Sequence, residues 1–211
     1  MDSIKKYKKL IQALPVKKQA SLIKKEVWKK RFREKLSPIV SVLFSKNDEI
    51  VISREDILKE NDCRKKIIMI LMWGYPTGGR GNHIQDALES IDGLCENLFK
   101  IKDKSLTKDK AKNLIQQFDC IKGLGPSTWS KLLYFFNISV DFRKCQIFDI
   151  KIVNSLNKIQ FKEFNRTDWN QQNIDDYFEY LELTNSLSQK LNASPDQLEN
   201  FLFHYNLGYK F

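Results

Sequence analysis

The sequence predicts an all-α fold. Helix-forming residues dominate the 211-residue chain and only 8 Gly and 5 Pro interrupt them. Apolar residues recur at helical spacing in several segments, and no alternating run is long enough to argue a half-buried strand. The length fits one large domain or two closely packed lobes. The longest apolar run, Ile67 to Trp73, is far shorter than the roughly 20 residues of a membrane span. It reads as a buried helix, and no association with a membrane is expected.

Taken in order, residues 3 to 13 and 17 to 35 read as helices broken at Leu14-Pro15. In the second, Leu22, Ile23, Val27, Trp28 and Phe32 recur near helical spacing with lysines and arginines opposite, a stripe suited to packing on a core. These basic helices, residues 1–36, are expected to pack on a body spanning 37–211. Residues 1 to 35 hold 13 Lys/Arg against 3 Asp/Glu, which equals the whole net charge of +10. A segment of this kind either contacts a polyanion, presents a solvated face in a Lys-, Asn- and Ile-rich composition, or docks an acidic protein partner.

After the break at Ser37-Pro38, Ile39 to Phe44 resumes an apolar segment, and Ser53-Arg54-Glu55-Asp56 forms the N-terminal box of a helix through Leu58. A helix from Cys63 to Trp73 runs into Gly74-Tyr75-Pro76-Thr77-Gly78-Gly79-Arg80-Gly81, a loop holding four of the 8 glycines. Trp73 and Tyr75 there can line a base-sized pocket and Arg80 can hold a phosphate or a base edge. The plainer alternative is a helix end with packed aromatics. Further helices are expected over 83–99 and 105–117, the latter with nearby lysines placed for sequence-independent backbone contacts.

The stretch FDCIKGLGPSTWSKLLYFFN, followed by CQIFDIKIV, organises the chain. A helix ends near Cys120, Gly123-Leu124-Gly125 makes a tight hairpin, and Pro126 opens a second helix where a missing N–H costs nothing. The hairpin spans 108–136. The amides of Gly123, Leu124, Gly125, Ser127 and Thr128 can then point at one anion, with Lys131 adding charge, and a nucleic-acid phosphate is the expected occupant. Asp149, in the segment 145–158, starts another helix. Helices over 173–191 and 194–205 follow, the last with Ser194 as N-cap and Pro195 at its first position. Eight acidic residues between Glu163 and Glu199 make that surface one nucleic acid should avoid.

Gly123-Leu124-Gly125 opening an apolar helix, then an apolar run ending in Asp149, resembles the helix-hairpin-helix DNA glycosylase superfamily. GLGPSTWSKLLYFF, IFDIKIVNSL and WGYPTGGRG together resemble small bacterial 8-oxoguanine DNA glycosylase-like proteins, over roughly residues 67 to 156. The resemblance implies two packed helical lobes with an active-site cleft between them, and a duplex DNA partner whose base is flipped into a pocket. Trp73, Tyr75, Arg80, Trp129 and Phe203 are the pocket candidates, although Trp129 and Phe203 also suit a core and His204 is an alternative to Phe203. It implies a catalytic Asp149. It also brings repair and anti-phage defence into view, with partners in a defence operon.

Bifunctional members carry a lysine two residues after the second hairpin glycine; Ser127 stands there. At that position the resemblance is to monofunctional members, which activate water; the alternatives are a catalytically silent DNA-binding or accessory protein and a glycosidase acting on a modified nucleoside or nucleotide. Ser127 precedes Asp149 by 22 residues, so a longer loop is expected over ISVDFRKCQ. Cys63, Cys95, Cys120 and Cys145 form no CxxC pair, which argues against a zinc site, an iron–sulfur loop or a disulfide framework. Neither a metal nor a cofactor is expected, and a reduced cytoplasmic compartment fits the free thiols.

Overall fold

A computed structural model of the chain describes residues 3–32, 36–159, 161–164, 166 and 168–205. The end of the expected helix over 17–35 and the last residues of the body lie outside that set. The architecture is helical: α1 (Lys8–Ala13), α2 (Lys25–Lys29), α3 (Ser37–Leu43), α4 (Arg54–Lys59), α5 (Cys63–Gly74), α6 (His83–Glu89), α7 (Ile91–Ile101), α8 (Lys108–Asp119), α9 (Pro126–Phe135), α10 (Ile150–Ile159), α11 (Ile174–Leu191) and α12 (Pro195–Tyr205). Helix α5 is the hub. Its residues 66–73 are all buried, and it packs against α7, α9 and β1 (Ala20–Lys24). A helix apolar on every side has to lie inside the protein, which is why Ile67 to Trp73 is the longest apolar run.

Two capping expectations hold in detail. Ser53 Oγ accepts from the Asp56 amide while the Asp56 carboxylate accepts from the Ser53 amide, a complete capping box. Ser194 Oγ accepts from the Gln197 amide as Gln197 Oε1 accepts from the Ser194 amide, with Pro195 at the first position of α12.

Elsewhere the structure corrects the sequence reading. Residues 20–24 are not helix; β1 pairs antiparallel with β2 (Glu49–Ser53), placing Ile23 opposite Ile50. Each strand buries one apolar residue, Ile23 and Ile52, so the alternation is too weak to stand out, and tertiary pairing overrides helix propensity. The expected helix over 83–99 is broken at Ser90 into α6 and α7. The expected long loop after α9 is an ordered ribbon: β4 (Ser139–Val140) and β5 (Arg143–Lys144) form a hairpin, and β4 also pairs with β3 (Ser105–Leu106). Asp141 and Phe142 take φ of 47° and 62° at its turn, the left-handed pair that matches strand twist.

The hairpin between α8 and α9 rests on one glycine. Gly123 has φ +89°, and a Cβ there would lie 1.9 Å from the His83 carbonyl oxygen. Gly125, at φ −69°, has open space where its side chain would be. Leu124 is buried between them and anchors the turn in the core. Gly123→Ala should therefore cost about 2–4 kcal/mol in urea unfolding, through backbone strain plus a clash with main chain, while Gly125→Ala should cost less than about 1 kcal/mol. Equal losses at the two positions would refute this asymmetry.

Candidate active site

Asp149 is fixed by the segment that precedes it. Cys145, Gln146, Ile147 and Phe148 are buried. The Phe148 amide donates to Ser130 Oγ at 3.0 Å, and its carbonyl accepts from Gln171 Nε2 at 2.7 Å. The chain thus reaches position 149 with little freedom. There the carboxylate caps α10: Asp149 Oδ1 accepts from the Lys151 amide at 3.0 Å, and its carbonyl accepts from the Ile152 and Val153 amides.

The other carboxylate oxygen faces the hairpin helix. Asp149 Oδ2 accepts from Ser127 Oγ at 2.7 Å and from Lys131 Nζ at 3.2 Å. Lys131 Nζ also donates to the Ser127 carbonyl at 2.7 Å and to Ser127 Oγ at 2.5 Å. Helical side chains lean toward the N-terminus, so a lysine at i+4 delivers its ammonium to the level of residue i. The Lys131 side chain is only 4% exposed, and its Nζ lies 5.4 Å from the centre of the Tyr75 ring. A Cβ on Gly74 would come within 3.0 Å of the lysine stem. That missing side chain makes room for Lys131, which corrects its placement as an outward phosphate contact.

Burial alone would raise the Asp149 carboxyl. The Lys131 charge, the Lys151 amide and the Ser127 hydroxyl outweigh it and hold the group below the ordinary carboxylate range. Asp149 is therefore an anion at neutral pH.

Asp149, Lys131 and Lys151 border a cavity of about 310 Å³, at the low end of the range of roughly 300–1,000 Å³ typical of small-molecule pockets. Trp73 and Phe203 contribute aromatic wall, and Arg54 and Glu199 lie at its buried floor. Ser21 Oγ donates to the Trp73 carbonyl and Trp73 Nε1 donates to the Gln19 carbonyl, so β1 and the segment before it form one rim. Arg54 Nη1 lies 2.8 Å from Glu199 Oε2, and the guanidinium is packed between the Trp73 and Tyr134 rings at 5.2 and 5.1 Å. Phe203 faces Lys151 Nζ at 4.7 Å, and His204 Nδ1 is 2.8 Å from the Asn200 carbonyl.

Other predicted residues are placed differently. Trp129 is core: it is 1% exposed, donates from Nε1 to Asp119 and meets Tyr177 edge-on. Pointing inward from α9, it cannot stack on a base in the cleft. Arg80 is exposed and does not line the cleft. The loop after Arg80 is tied down from the N-terminal segment instead, Arg31 Nη1 donating to the Gly81 carbonyl at 2.6 Å. Tyr75 lies behind Lys131 rather than on the cavity wall, its hydroxyl 2.7 Å from Thr128 Oγ1. Within the hairpin the Leu124 amide donates to Ile121 and the Thr128 amide to Gly125. Neither is free for an anion, whereas no hydrogen bond is described for the amides of Gly123, Gly125 and Ser127.

A family model described as "Putative 8-oxoguanine DNA glycosylase OGG-like protein" matches residues 14–203. The chain belongs to this family. No curated protein and no solved structure matches it. Membership makes it a DNA glycosylase-like protein, and the match runs from the segment before β1 into α12, taking in nearly the whole cleft.

The buried ion pair has a measurable consequence. A carboxyl whose folded pKa lies below its unfolded value of about 3.9 adds stability that is complete above that unfolded value and disappears as pH falls through the folded one. Asp149→Asn should lower unfolding stability by about 1–3 kcal/mol near pH 7, leaving Lys131 short of a partner. The gap between variant and wild type should close on acidification below pH ~4. A gap independent of pH, followed by urea unfolding, would show that the charge is not its source.

Proposed function

We propose that this protein is a DNA N-glycosylase that hydrolyses the N-glycosidic bond of a modified purine such as 8-oxoguanine. The observation that carries the reading is Asp149: an ionised, hydrogen-bonded carboxylate at the edge of an aromatic-walled cavity, beside the helix-hairpin-helix turn. Cleavage of an N-glycosidic bond develops positive charge on the sugar as the base departs. A fixed carboxylate facing C1′ stabilises that state without having to reorganise. The same carboxylate can take a proton from the attacking water.

Access to a base within a duplex requires flipping it out, at a cost of a few kcal/mol for the disrupted stacking and pairing. Trp73 and Phe203 offer aromatic surface to offset that cost, and the cavity has room for a single base. The Gly125 and Ser127 amides, at the N-terminus of α9, are suited to a phosphate flanking the extruded nucleotide. Because Gly125 has nothing within 4 Å of its absent side chain, a backbone can approach it closely. The lysine-rich N-terminal segment supplies further, sequence-independent attraction: Lys5, Lys8, Lys9, Lys17 and Lys18 are all exposed.

Asp149→Asn should abolish base release from duplexes containing a modified purine while leaving DNA affinity nearly unchanged, because the hairpin amides are untouched. Single-turnover base release alongside fluorescence anisotropy measures both. Wild-type protein that binds such duplexes and releases no base would favour a silent DNA-binding role. Replacing Lys5, Lys8, Lys9, Lys17 and Lys18 with Gln should weaken binding to all sequences alike and flatten the slope of log affinity against log salt by about 0.9 for each phosphate no longer neutralised. An unchanged slope would exclude this segment as a DNA contact.

A further inference from the structure

We propose that Cys63 and Cys95 form a peroxide-sensitive dithiol, a modification site that closes to a disulfide between α5 and α7. Their spacing does not announce the pair, because the two residues stand 32 positions apart. The fold brings them together. Neither lines the cleft, so the inference is independent of the activity proposed there.

Cys63 is the first residue of α5 and Cys95 the fifth of α7, two helices that pack against each other. An ion pair beside them sets the register: Arg64 Nε lies 2.7 Å from Asp92 Oδ1, one residue after Cys63 and about one helical turn before Cys95. Both cysteines rest on the core, and both stay partly open to solvent. Their thiols hydrogen-bond to each other. Sulfurs already in contact are a short step from a bond, whereas cysteines whose side chains point apart need backbone movement first.

The two thiols are not equivalent. The Cys95 S–H donates to Cys63 and outweighs burial, holding the Cys63 thiol below its ordinary range, with Lys66 and Arg64 acting in the same direction and Asp62 against it. The same hydrogen bond and burial push Cys95 up. The start of a helix also favours a thiolate. Cys63 is therefore the attacking sulfur and Cys95 the resolving one. The Cys63 thiolate bonds to one oxygen of a hydroperoxide as the O–O bond breaks; the departing oxygen takes up the proton that Cys63 released, and a sulfenic acid remains. Cys95 Sγ then displaces the sulfenic hydroxyl, which leaves as water with the Cys95 proton. The two sulfurs together lose two electrons and the peroxide gains them. A dithiol restores both thiols by exchange.

The test treats reduced protein with hydrogen peroxide and follows each thiol by alkylation and peptide mapping. Cys63 and Cys95 should lose reactivity together and appear in one linked pair of peptides, while Cys120, the more exposed cysteine, stays open to alkylation. The linked protein should unfold at higher urea concentration than the reduced one, because the cross-link closes a long loop in the unfolded chain, and dithiothreitol should reverse both changes. In Cys95→Ser, Cys63 should stop at a sulfenic acid that dimedone captures; in Cys63→Ser, Cys95 should stay reduced. Oxidation of Cys120 ahead of the pair would overturn the proposal, as would wild-type Cys63 passing to a sulfinic acid with no linked peptides. Capture of Cys95 by dimedone in Cys63→Ser, as readily as of Cys63 in Cys95→Ser, would refute the assignment of attacking sulfur.

Discussion

The cleft depends on one buried ion pair, Lys131 with Asp149, joined through Ser127. Taking two charges out of water costs several kcal/mol per ion, and their attraction offsets this only where geometry is good and the remaining donors and acceptors are satisfied. Here they are. The carboxylate accepts from a backbone amide, a hydroxyl and the ammonium, while the ammonium has a carbonyl and a hydroxyl besides. Several remote features act through this pair. Gly74 leaves space for the stem, Ser130 and Gln171 fix the chain just before Asp149, and Tyr75 closes the side away from the cavity. Loss of either partner would leave the other as an uncompensated charge in a largely dry setting.

A second buried pair, Arg54 with Glu199, holds the floor in a different way. Its guanidinium is packed between two aromatic rings, and its partner comes from α12, some 145 residues away. Residue 54 directly follows β2, whose pairing with β1 sets the rim against Trp73. The short antiparallel ribbon therefore does more than decorate a helical protein. It ties the N-terminal segment to the end of α5 and the start of α4, fixing rim and floor together.

Much of this was legible in the sequence where local chemistry decides. Ser53 with Asp56, and Ser194 with Pro195, announce helix starts because capping is a contest among near neighbours. Gly123 announces a turn for the same reason. What escaped was decided by partners far along the chain. Residues 20–24 have ordinary helical composition and become a strand only because residues 49–53 lie alongside. Trp129 and Lys131 sit two residues apart on one helix, so their faces follow from its rotation, and rotation is set by what α9 packs against. Tyr177 and Asp119 claim the tryptophan; Asp149 claims the lysine. Arg54 and Glu199 left no trace that either would be buried, since a charged residue in an amphipathic helix normally faces water.

The hairpin then emerges as a structure with two chemically different sides. Outward, Gly125 and the first turn of α9 offer backbone amides with no side chain in the way. Inward, the same turn offers Ser127 Oγ and, from one turn further on, the Lys131 ammonium. A lysine at 127 would combine charge and reach in one residue. With serine there, the two are divided: residue 127 supplies a short hydroxyl that bridges to Asp149, and residue 131 supplies the nitrogen along a stem lying against Gly74. The division ties the spacing of four residues in α9 to a glycine at the end of α5. A bulky side chain at position 74 would displace the ammonium without touching the hairpin's outer face. The outward amides and the inward polar side chains are thus set by separate residues of α9 and the turn before it.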